Sequence, residues 1–146
     1  MKSLYILNGP NLNLLGVREP EIYGRASLAD AERLAGERAK ALGHALVFRQ
    51  SNHEGEILDW IQEAREKASA IILNAGALTH TSLAIHDALK AFAGPIIELH
   101  VSNPAAREDF RHVSFVARAA TGTICGFGVE GYALAVDAAH KLLSSA

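Results

Sequence analysis

The sequence predicts an α/β fold in which helices cover both faces of a parallel β-sheet. Short apolar runs alternate along the chain with stretches of helical periodicity, which is the pattern of consecutive β-α-β units. A run as short and apolar as Ile71-Ile72-Leu73 suits a sheet that is buried on both faces. The length of 146 residues fits a single domain, residues 1–146.

Five segments are predicted strands, in the order in which the chain reaches them. The first four are apolar runs at residues 4–7, 45–48, 70–73 and 95–99. The fifth is predicted at residues 113–117, and residues 121–125 could continue it. Because helical segments separate the strands, we expect them to run parallel.

Helical periodicity predicts four helices, each with one apolar face, and a short additional one. The first begins after Ser27, whose spacing to Asp30 is that of a capping box, and Gly43 is placed to end it. Asn103 followed by Pro104 predicts the short helix, with asparagine as N-cap and proline at the first helical position. The other three helices have apolar faces within residues 57–68, 83–92 and 129–143.

Composition narrows the class of protein. The chain has 14 basic and 16 acidic residues, and this near balance argues against a nucleic-acid or anionic-membrane partner. Its single cysteine, Cys125, excludes a disulfide framework and a multi-cysteine zinc site. The apolar run at residues 4–7 is too short for a signal-peptide core or a membrane span. We therefore expect a soluble cytoplasmic protein.

Polar residues follow each of the first four predicted strands. In open α/β sheets, ligands bind outside the carboxyl ends of the strands, so these residues form the predicted site. They supply amides, hydroxyls, imidazoles and a guanidinium, which suit a small, hydroxyl-rich and anionic molecule. The segments are Asn8-Gly9-Pro10-Asn11, Arg49-Gln50-Ser51-Asn52-His53, Asn74-Ala75-Gly76 with Thr79-His80-Thr81, and His100-Val101-Ser102-Asn103.

Several familiar chemistries lack their motifs. The sequence contains no G-x-G-x-x-G after its first strand, no P-loop and no G-x-S-x-G nucleophile elbow. Because the nucleotide-binding motifs are missing, no cofactor is predicted. His80 and His86 are six residues apart and cannot share one helical face as metal ligands, so no metal is predicted either. No lysine follows a strand, which argues against a Schiff base. The five lysines are Lys2, Lys40, Lys67, Lys90 and Lys141.

Acid–base chemistry by tyrosine, histidine and carboxylate remains. Residues 9–25 show no periodicity, and their glycines and prolines should keep them out of the sheet and the helices. A loop of that length in a compact domain is usually functional. It carries Arg18 and Tyr23, and a nearby cation would favour the phenolate, which makes Tyr23 a candidate base.

Glu98 and His100 lie two residues apart on one face of a predicted strand. A carboxylate there could fix the tautomer of the imidazole and raise its pKa, so His100 is a candidate acid. Glu98 could either orient His100 or pair with an arginine.

Read in order, these segments resemble the type II 3-dehydroquinate dehydratases over nearly the whole chain. Six motifs at the family spacing carry the resemblance, which is more specific than any one of them. They are Asn8–Asn13, Arg18-Glu19-Pro20 with Ile22-Tyr23-Gly24, Arg49–Gly55, Asn74–Ala77 with Thr79–Ser82, Glu98–Asn103 with Arg107–Arg111, and Gly126-Phe127-Gly128 with Gly131-Tyr132.

The resemblance implies a flavodoxin-like three-layer sandwich, a homo-oligomer of twelve chains, and the conversion of 3-dehydroquinate to 3-dehydroshikimate in the shikimate pathway. In that family, water is eliminated in the anti sense through an enolate, without a metal or a Schiff base. By resemblance, Tyr23 takes the C2 proton with Arg18 keeping it as phenolate, and His100 protonates the departing C1 hydroxyl. Asn11 helps to hold the water or donor that stabilises the enolate oxygen. The residues that would bind substrate are Asn74, His80, Val101, Ser102 and Arg111, with Asp87 from a neighbouring subunit.

Two other classes of function stay open. One is a non-catalytic binder of a flavin or a sugar acid on the same scaffold, although residues 8–13 are a poor phosphate loop. The other is a different lyase or isomerase acting on a polyhydroxy acid, which would share the polar strand ends.

Overall fold

The computed structural model describes residues 1–145 and contains one sheet of five parallel strands. The strand order is β2-β1-β3-β4-β5, which is the flavodoxin-like order. The strands are β1 (Ser3–Asn8), β2 (Leu46–Gln50), β3 (Ala68–Asn74), β4 (Ile96–His100) and β5 (Gly122–Cys125). The helices are α1 (Pro20–Tyr23), α2 (Leu28–Ala41), α3 (Glu54–Lys67), α4 (Leu83–Lys90) and α5 (Glu130–Ser144).

Each face of the sheet has its own apolar core. Along β1, Leu4 and Ile6 pack under α2 and α5, whereas Tyr5 and Leu7 pack under α3 and α4. This division follows from the strand period of two, which sends successive side chains to opposite faces. All four side chains are at most 2% exposed, so the sheet is buried on both sides. The predicted parallel α/β sandwich is confirmed.

The two N-caps predicted from the sequence, Ser27 and Asn103, are both present in the structure. The Ser27 hydroxyl accepts the Asp30 amide at 3.2 Å while the Asp30 carboxylate accepts the Ser27 amide at 2.9 Å, which completes the capping box. Asn103 caps the short 3₁₀ helix Pro104–Ala106 by accepting the Ala105 amide at 3.3 Å.

The predicted strand at residues 113–117 is wrong. This segment forms turns, and β5 consists of Gly122–Cys125 alone, paired with β4 from Ile97↔Gly122 onward. Its apolar residues mimic a strand because Val116 is a single fully buried anchor in the core under α3 and α4. Its backbone is used differently, since the Phe115 amide donates to the Thr79 carbonyl at 2.9 Å.

Residues 9–25 stay out of the sheet as predicted, but they are not free of helix. They form a 3₁₀ turn at Leu12–Leu14 and the single turn of α1. Pro20 is tolerated at the start of α1 because the first helical amide needs no partner, and Gly24 ends the turn at φ +80°. The expectation of no helix there was wrong because one turn leaves no periodic pattern.

The strand order places a crevice at the ends of β1 and β3. The chain leaves β1 towards β2 on one side and later enters β3 on the other, so the crossovers diverge at this point. Asn8 and Asn74, the last residues of the two strands, are register partners there. Within residues 1–145, no helix is both long and apolar enough to cross a membrane.

Acid should destabilise this fold through a pair of histidines, His44 in the loop after α2 and His140 on α5. His44 Nε2 lies 2.8 Å from His140 Nδ1, and burial together with the charge of His140 lowers the pKa of His44. An unfolded histidine gains its proton at about pH 6.5. The unfolded chain therefore binds more protons, and the free energy of unfolding should fall between about pH 7.5 and about pH 5.5.

Urea unfolding at fixed protein concentration checks this. His44→Gln should flatten the pH dependence over that range, whereas the same change at exposed His53 should leave it intact. An equally steep dependence in His44→Gln and the unmodified protein would contradict the assignment.

Candidate active site

A cleft opens at the carboxyl edge of the sheet, where ligands bind in open α/β folds. Nine of the ten predicted site residues line it, drawn from the last residues of β3 and β4 and from the segments that follow β1, β3 and β4. They are Asn11, Arg18, Tyr23, Asn74, His80, His100, Val101, Ser102 and Arg111.

Two glycines allow the loops after β1 and β3 to pack against each other beside the cleft. A Cβ on Gly9 would lie 2.3 Å from the Ala75 carbonyl oxygen. Gly76, at φ +60°, would place a Cβ 2.9 Å from the Pro10 carbonyl oxygen. Because both contacts are with backbone, a side chain at either position would push the loops apart and move Asn11.

A buried hydrogen-bond chain fixes the ends of β1 and β3. The Tyr132 hydroxyl, on α5, donates to Asn8 Oδ1 at 2.6 Å and accepts from Asn74 Nδ2 at 3.0 Å. Asn74 Oδ1 then accepts the Gly76 amide at 3.3 Å, which ties the following loop to the same chain. Burial raises the pKa of Tyr132, against the opposing effect of the hydrogen bond from Asn74, so this hydroxyl stays protonated and can donate.

Tyr23 lies at the end of α1 with two guanidinium groups over its ring. The Cζ atoms of Arg18 and Arg107 are 4.9 Å and 5.0 Å from the ring centroid. Arg107 also donates from Nη1 to the Ser102 hydroxyl at 3.1 Å, and its side chain is only 13% exposed. The Tyr23 ring therefore lies beside two positive charges.

Arg107 is absent from the residues predicted for the site. The signal available in the sequence was its neighbourhood, since Arg111, which was predicted, ends the same short segment. The two arginines share Glu108, whose Oε1 lies 3.5 Å from Arg107 Nε and 3.2 Å from Arg111 Nε. A hydrogen bond from its own backbone and the two guanidinium charges lower the pKa of Glu108, against a smaller opposing effect of burial.

His100 is paired with a buried carboxylate. Its Nε2 lies 2.6 Å from Oε2 of Glu98, and the two residues are 8% and 2% exposed. Burial raises the pKa of Glu98, but hydrogen bonds from His100, Ser114 and Thr123 outweigh it and hold the pKa below its ordinary value. Glu98 therefore orients His100 and does not pair with an arginine.

His80 and Arg111 supply further polar groups to the cleft. His80 Nδ1 lies 2.7 Å from the Val113 carbonyl oxygen. Because a carbonyl only accepts, Nδ1 carries the proton, and Nε2 of a neutral ring is left as an acceptor. The Arg111 side chain is 17% exposed, so its guanidinium is partly shielded from water.

Asp87 is the one predicted site residue outside the cleft. It lies on α4 with a side chain that is 71% exposed, and its Oδ1 is 3.0 Å from Nδ1 of the adjacent His86. Within a single chain it does not join the other nine residues.

The cleft therefore combines a phenol beside two cations, an imidazole held by a carboxylate, and several anchors for oxygen atoms. None of the lysines in residues 1–145 lines it, and that part of the chain holds no group of three or more potential metal-ligating His, Cys, Asp or Glu residues. The arrangement suits proton transfer to and from a small oxygen-rich anion.

Fold and cleft together define a class, the parallel α/β proteins with an acid–base site at the switch point of the sheet. Within that class, the model of the family described as "Dehydroquinase class II" matches residues 2–140. The chain belongs to the class II dehydroquinase family.

Similar proteins agree over almost the full length. The chain is 62% identical over 141 residues to a 3-dehydroquinate dehydratase of Phenylobacterium zucineum (strain HLK1), covering 97% of each protein. It is 58% identical to one from Rhodopseudomonas palustris (strain TIE-1), covering 99% of this chain and 97% of that protein. The crystal structure of the type II dehydroquinase from Propionibacterium acnes superposes with a TM-score of 0.92 at 41% identity, covering 97% of each chain.

Tyr132→Phe should lower the stability of the protein while keeping its fold. The change leaves Asn8 Oδ1 and Asn74 Nδ2 without their buried partner, which costs about 1–3 kcal/mol of unfolding free energy. Urea denaturation measures the loss. The matched change Tyr5→Phe should cost less, because its partner Glu63 is 29% exposed and also pairs with Arg49. Equal losses in the two variants would contradict the importance of this hydrogen-bond chain.

Proposed function

We propose that this chain dehydrates 3-dehydroquinate to 3-dehydroshikimate, a step of the shikimate pathway, within a single catalytic domain of residues 1–146. The proposal is supported by membership of the class II dehydroquinase family and by the names of its relatives. The observation that carries it is the presence in one cleft of Tyr23 with two guanidinium groups and of the His100–Glu98 pair.

Tyr23 is the proposed base. A proton on the carbon next to a ketone is weakly acidic, so its removal needs a basic group and stabilisation of the enolate that forms. The guanidinium groups of Arg18 and Arg107 lie over the Tyr23 ring and place positive charge beside the proposed base. Asn11 is proposed to help stabilise the enolate oxygen. Its amide donates to Asn52 Oδ1 at 2.9 Å, which fixes its left-handed backbone at φ 69°.

His100 is the proposed acid. Loss of the C1 hydroxyl as water requires a proton, and an imidazolium held by Glu98 can supply it. The elimination then balances, since the C2 proton passes to Tyr23, the C1–oxygen bond breaks, and the hydroxyl leaves with the proton from His100. No covalent bond to the protein forms in this scheme.

Substrate contacts are proposed for the remaining residues of the cleft. Asn74 and the backbone amides of Val101 and Ser102 would bind the carboxylate and a nearby hydroxyl, while His80 and Arg111 would bind ring hydroxyls. Asp87 would complete the site of a neighbouring subunit, which agrees with its position outside the cleft of its own chain.

We also propose a cytoplasmic homo-oligomer of twelve chains, with 3-dehydroquinate as partner and neither nucleic acid nor membrane. Several large apolar side chains are exposed on the single chain, which is costly unless another surface covers them. These are Phe110 at 67%, Phe127 at 62%, Leu83 at 58% and Val113 at 46% exposure. Leu83 lies on α4 with Asp87, so contact there would bring Asp87 to another subunit.

Tyr23→Phe should abolish most of the turnover while the protein stays folded, because it removes the proton acceptor and keeps the ring. Loss of a general base typically costs about 10²–10⁴-fold in kcat. Arg18→Lys should also be severely impaired, since a lysine lacks the planar guanidinium that lies over the ring. Steady-state kinetics measure both, with Tyr5→Phe as the matched control. Near-normal turnover of Tyr23→Phe would overturn its role as base.

Mixing two inactive variants should restore activity if subunits share their sites. A hybrid oligomer of Tyr23→Phe and Asp87→Asn chains contains sites in which an intact Tyr23 meets an intact Asp87 from its neighbour. Light scattering should give twelve times the 15.6 kDa chain mass for each variant and for the mixture. A 15.6 kDa monomer, or a reassembled mixture with no recovered activity, would contradict shared sites.

A further inference from the structure

The carboxylate of Glu98 accepts two hydrogen bonds that the proposed reaction does not use. Besides His100, it binds Ser114 Oγ at 2.6 Å on Oε2 and Thr123 Oγ1 at 3.0 Å on Oε1. A buried charge of this kind is tolerated only when hydrogen bonds or opposite charges compensate it. The two hydroxyls therefore affect the charge state of Glu98.

The two hydroxyls come from β5 and from the turn segment that precedes it. Thr123 is its register partner on β5, so strand pairing alone brings the two side chains together. Ser114 comes from the turn segment after the loop of Arg111. Its Oγ accepts the Ala117 amide at 2.9 Å, which leaves the hydroxyl proton free to be donated to Glu98.

Neither hydroxyl reaches the cleft where substrate is proposed to bind. Ser114 and Thr123 instead line a second cleft, which shares His80, His100, Pro104 and Arg111 with the first. The hydrogen bonds of the two hydroxyls connect them to the first cleft through Glu98 and His100. The other titratable or charged groups lining this second cleft are His80, Arg111, His112 and Cys125.

We propose that Ser114 and Thr123 are positioning residues that keep the proton shared by Glu98 and His100 on the imidazole. This rests on the proposed function, in which His100 is the acid. Two hydroxyl donors stabilise the carboxylate and make it a weaker base, so the pair persists as imidazolium and carboxylate. Without them the proton moves from Nε2 to Glu98, and the neutral imidazole that remains is a far weaker acid.

The test removes each hydroxyl without changing side-chain volume greatly, in Ser114→Ala and Thr123→Val. The low-pH limb of kcat should move to higher pH by about one unit for each hydroxyl lost, because a charged hydrogen bond is worth roughly that shift. KM should stay within about twofold, since neither residue touches the substrate cleft.

Two control variants separate this role from packing. Thr123→Ser keeps the hydroxyl and should restore the profile of the unmodified enzyme. Thr121→Val removes a neighbouring hydroxyl that accepts the Ile96 amide and does not touch Glu98, so its profile should be unchanged. A fall in kcat with an unmoved pH profile in Thr123→Val would show a purely structural role and would overturn the inference.

A measurement that needs no turnover keeps the two proposals distinguishable. Infrared spectra assign the carboxylic-acid band of Glu98 by its loss in Glu98→Gln. As the pH is lowered, that band should appear at a higher pH in Thr123→Val than in the unmodified protein. In Thr123→Ser it should appear at the same pH as in the unmodified protein. An inactive but folded unmodified protein would refute the proposed function and leave the infrared result to decide this one. Identical band titrations in the three proteins would overturn it, even if Ser114→Ala failed to fold.

Discussion

The hydrogen bonds of Tyr132 with Asn8 and Asn74 are the constraint on which the cleft depends. The three side chains come from α5, β1 and β3 and are at most 2% exposed, so each needs a protein partner. Because they partner one another, the last residues of two central strands are locked in register at the switch point. The loops that carry Asn11 and His80 start from these fixed ends, which explains why polar residues far apart in sequence line one cleft.

The cleft surrounds two titratable groups with charges of opposite sign. Tyr23 lies beside the positive guanidinium groups of Arg18 and Arg107. His100 lies against the buried carboxylate of Glu98. The proposed roles, with Tyr23 as base and His100 as acid, depend on this difference between the two environments.

Much of this arrangement could be predicted from the sequence because its causes are local. The Ser27 capping box, the Asn103 cap and the buried apolar runs depend on neighbours in the chain, and the residues that end parallel strands must meet at one edge. The turn segment at 113–117 was mispredicted because one buried anchor, Val116, gives the same apolar signal as a strand.

The contacts that could not be predicted from the sequence join residues that are far apart in it. The Glu98 carboxylate accepts hydrogen bonds from Ser114 and Thr123, which are 16 and 25 residues away in the sequence. No sequence pattern near Glu98 predicts these two partners. Arg107 lies 84 residues after Tyr23 in the sequence, and only the fold brings its guanidinium to within 5.0 Å of the centre of the Tyr23 ring. The role proposed for Asp87 requires a second chain, and within a single subunit its side chain lies outside the cleft.

The most direct test of the account is an absorbance assay of the purified chain with 3-dehydroquinate, because the product, 3-dehydroshikimate, contains a conjugated enone. We expect the enone absorbance to rise at a rate proportional to protein concentration, and borohydride added with substrate to leave that rate unchanged. Absence of the enone product would contradict the proposed reaction. Borohydride inactivation traced to one of the five lysines would contradict proton transfer without a covalent bond to the protein.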